Sequence, residues 1–175
     1  MGRYFSAEQI SLSGRIFAQA EKMAERYFRI GPEEWRERRY DVKTLAFLEE
    51  HEVREGAFAQ LCKYQIRKEP EEKDEGFHFY RICLQDNRIL DAVERAHSFI
   101  RLSPLLLYIA AHELVHVVRF ERGEGNFDAP DEEKPDEEEK VHRITRNLLK
   151  PATDKDLNLV LDCFSNRYRI GDLVQ

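Results

Sequence analysis

Residues 105–118 read LLLYIAAHELVHVV. Apolar side chains fill nearly every position before His112, so a helix over this stretch is covered on all sides and forms the centre of the protein. Ser103 and Pro104 supply a helix start, serine as cap and proline in the first turn. Gly123, Gly125 and Asn126 close the helix after Glu121. Inside it stand His112, Glu113 and His116. Helical positions i and i+4 lie one turn apart on one face. Two imidazoles so placed can reach a single zinc ion at about 2.0–2.1 Å. Glu113 is offset from their line and is free to hold a water. The plain alternative is a pair of core histidines satisfied by hydrogen bonds.

Chance is a poor source for the pattern. With six histidines and 23 glutamates in 175 residues, independent placement yields about 0.03 such HExxH matches. The motif also lies in an apolar helix, where two histidines and a glutamate are not accounted for by a solvated face.

Outward from this helix the chain reads as a mixed fold. Ser6 to Phe28 is an amphipathic helix: Ser6 and Gln9 form a capping box, and Ile10, Phe17, Ala20 and Ala24 recur on one face. Gly31 and Pro32 stop it. A second helical segment begins near Glu33, and Leu45, Leu48 and Glu52 extend a helical reading over 41–55. Residues 57–66 change to a strand-like period, with a helix as the competing reading. Residues 68–76 are a charged loop. Residues 77–84, FHFYRICL, are a strand antiparallel to the first. Asp86 and Asn87 mark a turn, and 89–99 is a short helix. Residues 128–139 carry eight acids and two prolines and lead into a helix with Val141, Ile144, Leu148 and Leu149 on its apolar face. Pro151 ends that helix. A last helix and a tail follow Asp154. The expected fold class is α+β: a small antiparallel sheet packed on helices around the central helix. It forms one domain with a helical part (1–56), a part holding the sheet and both central helices (57–151) and a C-terminal part (152–175).

Composition narrows the function classes. The chain is 42% apolar, enough for a core, and 35% charged, with a net charge of −6. That balance does not indicate a dedicated nucleic-acid groove. The longest uninterrupted apolar run, 105–111, is too short to span a bilayer, and the first residues lack the apolar stretch of a signal peptide. Cys62, Cys83 and Cys163 are odd in number and without a CxxC spacing, which reads as reduced thiols in a cytoplasmic protein.

A catalytic zinc needs a third protein ligand and an open position. Residues 138–142, EEKVH, offer it. Glu138 and His142 are four apart and Glu139 and His142 three apart, so either acid can share a face with His142. Spacing alone leaves Glu138, Glu139 and His142 open.

The run AHELVH (111–116), the acidic stretch, EEKVH (138–142) and LLKP (148–151) together resemble the zincin metallopeptidases of the gluzincin type, closest to the ImmA/IrrE-like peptidases. The resemblance covers about 45 residues. It implies a minimal zincin-like domain, one zinc ion per chain and hydrolysis of peptide bonds in a protein or peptide substrate. Anchored on Leu148, Leu149 and Pro151, the family's glutamate ligand falls on Glu138. His112 and His116 are then the other ligands and Glu113 the general base. His142 stands where the family shows Asn or Asp, and could itself be a ligand. The resemblance also implies that 77–84 is an edge strand beside the cleft. Neither a nucleic acid nor a membrane is expected as partner.

Two other readings compete. One is a zincin-shaped interaction module without catalysis. The other is a ferritin-like di-iron bundle, because Glu-x-x-His pairs occur at 75/78, 94/97, 113/116 and 139/142. Tyr108, one turn before His112, could back a ligand, and Arg119 and Arg122 could simply complement the helix dipole.

Overall fold

The structure, a computed structural model, describes residues 3–37, 40–66 and 77–165. Six helices and three strands make an α+β fold. The helices are α1 (Ala7–Phe28), α2 (Pro32–Glu37), α3 (Asp86–Arg95), α4 (Leu102–Glu121), α5 (Lys134–Leu148) and α6 (Lys155–Phe164), and the strands are β1 (Tyr40–Lys43), β2 (Ala59–Ile66) and β3 (Phe77–Leu84). The loop expected at 68–76 and the tail after Ser165 lie outside the described residues.

α4 is the centre, as its composition requires. Leu105, Leu106, Ala110, Ala111, Leu114, Val115, Val117 and Val118 are all fully buried. α1, α5 and α6 pack directly on it. Each large aliphatic side chain so buried contributes about 1.5–3 kcal/mol relative to exposure, which fixes the helix that carries the histidines. Although α4 is long and apolar enough to cross a membrane, most of it is enclosed by the rest of the protein. It starts one residue before Ser103. Arg101 occupies the cap position without a side-chain cap bond, so Pro104 sits in the third helical position, where its missing N–H is still not needed.

The capping box of α1 is present, with the Ser6 Oγ accepting from the Gln9 N–H and the Gln9 side chain accepting from the Ser6 N–H. Asp154 caps α6 in one direction only, its Oδ1 accepting from the Leu157 N–H at 2.8 Å.

The sheet departs from the sequence reading in two respects. Its order is β1-β3-β2, with β1 parallel and β2 antiparallel to β3. The strand at 77–84 is therefore central, not an edge, and the sheet is mixed. The cause is β1, which the helical reading of 41–55 concealed. Tyr40 and Val42 pair with Tyr80 and Ile82, and 45–52 form two single 3₁₀ turns. Tertiary partners override the leucine spacing there: Leu45 N–H donates to Asp86 Oδ1 at 3.0 Å, and Glu52 is wholly buried. Asp86 also accepts from Phe5 N–H at 2.8 Å. It starts α3 directly, where a turn was expected.

Alternation assigns the two faces of the sheet. Tyr80, Ile82 and Leu84 are buried, Ile82 and Leu84 in the core they share with α4. Cys62, Tyr64, Arg81 and Cys83 occupy the other face, gathered around Glu52.

Candidate metal centre

α4 and α5 bring three sequence-predicted residues together. His112 Nε2 lies 3.0 Å from Glu138 Oε2, and His116 Nε2 lies 2.9 Å from Glu138 Oε1. The two imidazole rings stand 4.9 Å apart at 74°. One carboxylate thus spans two imidazole nitrogens, and their ligand atoms all fall within 4.8 Å of one another. His116 is 7% exposed, whereas the Glu138 side chain is 56% exposed. The set is closed on the core side and reachable from solvent.

The electrostatics follow from that contact. Burial alone would raise the Glu138 pKa, but His112 and His116 outweigh it and hold the carboxyl well below its usual range. Burial alone would lower the His116 pKa, yet Glu138 and Glu113 carry the net shift upward. Two nitrogens and a carboxylate oxygen are a suitable donor set for a zinc ion, which would replace the protons that now bridge them. The buried Nδ1 of His116 has no hydrogen-bond partner among the described residues. Its outward nitrogen is therefore the one with chemistry to perform.

The remaining candidates divide. Glu113 lines the cleft with His116 and Glu138. His142 is not among the three gathered donors. Its Nδ1 is 2.7 Å from Tyr108 Oη, which is in turn 3.3 Å from His112 Nδ1. Tyr108 is 2% exposed and stacks on Phe164 at 3.9 Å between centroids. His142 therefore acts on the set through Tyr108. Glu139 is turned to solvent, paired only loosely with Arg143 at 3.6 Å. Of the other Glu-x-x-His pairs, Glu94 is taken by Arg3, Glu75 lies outside the described residues, and a sheet occupies the place of a bundle.

Arg119 does more than complement a dipole. Its guanidinium grips both Glu137 oxygens, at 2.7 and 3.0 Å, and donates to the Glu124 carbonyl at 3.1 Å. This fork ties the end of α4 to the start of α5, one residue before Glu138. Gly125 leaves the room for it: a Cβ there would stand 2.7 Å from Glu137 Oε1. The traces in the sequence were an arginine buried at the end of an apolar helix and an acid beside the proposed ligand.

The cleft is about 260 Å³ and runs between β2, at Ala59, Gln60 and Leu61, and the Glu113–His116 turn of α4. β2 is an edge strand, so the edge beside the site is β2 and not 77–84. Another cavity, of about 600 Å³, lies at the other end of α4 around Leu12, Arg101 and Leu157 and touches none of the histidines. No family model matches the chain, and neither curated proteins nor solved structures provide a match.

Proposed function

We propose that the protein is a zinc-dependent metallopeptidase of the zincin type that hydrolyses a peptide bond in a protein or peptide substrate. The observation that carries this reading is the convergence of both HExxH imidazoles on the two oxygens of Glu138 beside a sheet edge. His112, His116 and Glu138 would hold the ion. Zinc supplies Lewis acidity there, lowering the pKa of water toward neutrality and polarising a carbonyl.

The chain's own residues do the rest. Glu113 takes the proton of the attacking water and returns it to the leaving amine, as a general base and then a general acid. The outer edge of β2 beside the site, at Ala59, Gln60 and Leu61, offers backbone N–H and C=O groups to an extended substrate, which adds as a further strand. Tyr108 fixes the ring of His112. With Nε2 of His112 committed to the ion, its Nδ1–H donates to Tyr108 Oη, and the Tyr108 O–H donates to His142 Nδ1.

The test is Glu113→Gln, which keeps size and polarity and removes the base. Cleavage of a cognate protein by the variant is expected to fall about 10²–10⁴-fold, with zinc content and thermal midpoint near those of the wild type. Unchanged cleavage, with contaminating proteases excluded, overturns the mechanism. Retained zinc with no cleavage by the wild type of any candidate substrate favours the interaction-module reading.

A further inference from the structure

A second cavity, of about 550 Å³, opens on the opposite side of the donor set from β2. His112, Tyr108, His142, Arg143, Arg146 and Phe164 line it, with the acids Glu138 and Glu139 on the same wall of α5. Its cations differ from other arginines of the fold. Arg81 holds Asp41 through two N–H···O contacts of 3.0 and 3.1 Å. Arg119 holds Glu137, and Arg122 holds Glu34 at 2.8 and 3.1 Å, in the same forked manner. Those guanidinium groups are consumed by structure.

Arg143 and Arg146 are not. Their nearest carboxylates are Glu139 at 3.6 Å and Asp162 at 3.9 Å, both beyond hydrogen-bond reach. Neither guanidinium makes a hydrogen bond among the described residues. Loose, exposed pairs of this kind contribute little and are readily exchanged. His142 adds a third donor: with Nδ1 accepting from Tyr108, its proton is left on Nε2, which has no partner among the described residues. Three donors without a hydrogen-bond acceptor among the described residues thus stand within five residues of α5, in one cavity with His112, Glu138 and Phe164.

We infer that this cavity is a carboxylate-recognition subsite, which seats an acidic group of the substrate next to the bond that is cut. A planar guanidinium fork is the side chain best matched to a carboxylate. The cleft on the β2 side sets three acids, Glu113, Glu137 and Glu138, against two cations, Arg54 and Lys134, a net acidic lining less suited to an anion, so the two sides divide the work: backbone along β2, charge along α5. The acidic group is either an Asp or Glu side chain or the free C-terminal carboxylate of a peptide. The inference rests on the metallopeptidase reading.

Hydroxamates separate the two levels, because the hydroxamate end reports the metal and the far end reports the subsite. The monohydroxamates of succinic, glutaric and adipic acid are titrated calorimetrically into the zinc-loaded protein, each against the methyl-ended acyl hydroxamate of equal length. At the best length the carboxylate is expected to tighten binding about fivefold. Arg143→Gln combined with Arg146→Gln is expected to erase that preference and to leave the methyl-ended affinity unchanged. Both residues are exposed, so the variant keeps its fold. Equal binding of both series at every length overturns the subsite and spares the metal centre. Binding of neither series overturns the metal reading, and the subsite with it. Peptidyl hydroxamates then assign the source. An arginine-dependent gain from glutamate in an amide-capped peptide identifies an acidic side chain, and one from a free terminus identifies a C-terminal carboxylate. A gain from neither overturns the inference.

Discussion

Among the described residues, two places bring three metal-capable donors within 4.8 Å: His112, His116 and Glu138 between α4 and α5, and Glu52, Cys62 and Cys83 on the outer face of the sheet. They differ in what else has claimed the lone pairs. Glu138 meets only the two imidazoles, and its side chain is 56% exposed. Glu52 is fully buried and already accepts from the Tyr64 hydroxyl, from Arg81 at 3.2 Å and from the Glu49 N–H at 2.8 Å. Burial there also pushes the Cys83 thiol far up, with Cys62 and Glu52 adding to it, which disfavours its thiolate. Proximity gathers donors in both places, but only one set has lone pairs left for an ion.

The comparison can be broken most directly by counting metal. Glu138→Ala is expected to abolish zinc binding at the roughly one ion per chain that a single site holds, while Cys62→Ser with Cys83→Ser leaves it intact. Elemental analysis that finds two zinc ions per wild-type chain, one of them lost with the cysteines, would sink it.

Glu52 should answer as a structural acid. Its removal strands the Tyr64 hydroxyl and a backbone N–H in the interior, so Glu52→Ala is expected to lower stability by about 3 kcal/mol in urea titrations, with zinc affinity unchanged. Burial favours its neutral form, but Tyr64, the Glu49 N–H and Arg81 outweigh that and hold its pKa below the ordinary value. A lowered carboxyl pKa contributes stability above the unfolded value of about 4.3 and loses it as pH falls through the folded one. The acid limb of wild-type stability should therefore be shallower in Glu52→Gln.

Behind the ligands the effects shrink. Tyr108→Phe keeps the stack on Phe164 and deletes the bridge from His112 to His142. It is expected to weaken zinc roughly 10- to 100-fold, and His142→Ala to do the same. Equilibrium competition with a chromophoric chelator reads both. Smallest is Glu139→Ala, which should move neither zinc affinity nor stability beyond about 0.5 kcal/mol. Loss of zinc in that variant would overturn the assignment of Glu138.

The legibility of these features in the sequence follows their range. The HExxH face and the α1 capping box are local patterns, written within one or two turns. Spacing left Glu138, Glu139 and His142 open, and Glu138 was singled out only by the family resemblance, anchored on Leu148, Leu149 and Pro151. Nothing local marked β1. Its four residues pair in parallel with β3, about forty positions away, and the leucines that follow them mimic a helical period. Missing β1 made β3 an edge and hid the role of β2. The Arg119–Glu137 fork escaped for a similar reason, since either residue alone has an ordinary explanation at a helix terminus.

The three proposed ligands all fall between residues 112 and 138, on one helical hairpin clamped by Arg119. A loop of that length closes with little entropy loss, and its contacts are local enough to form early. The cleft instead depends on β2, whose partner β3 follows the charged residues 67–76 in sequence and sets its register. Metal uptake and substrate seating are thus properties of two separately assembled parts. On the proposed reading, a preparation with a disturbed sheet would still carry its full complement of zinc, so metal content would grade the hairpin, and only a ligand that lies along β2 would grade the cleft.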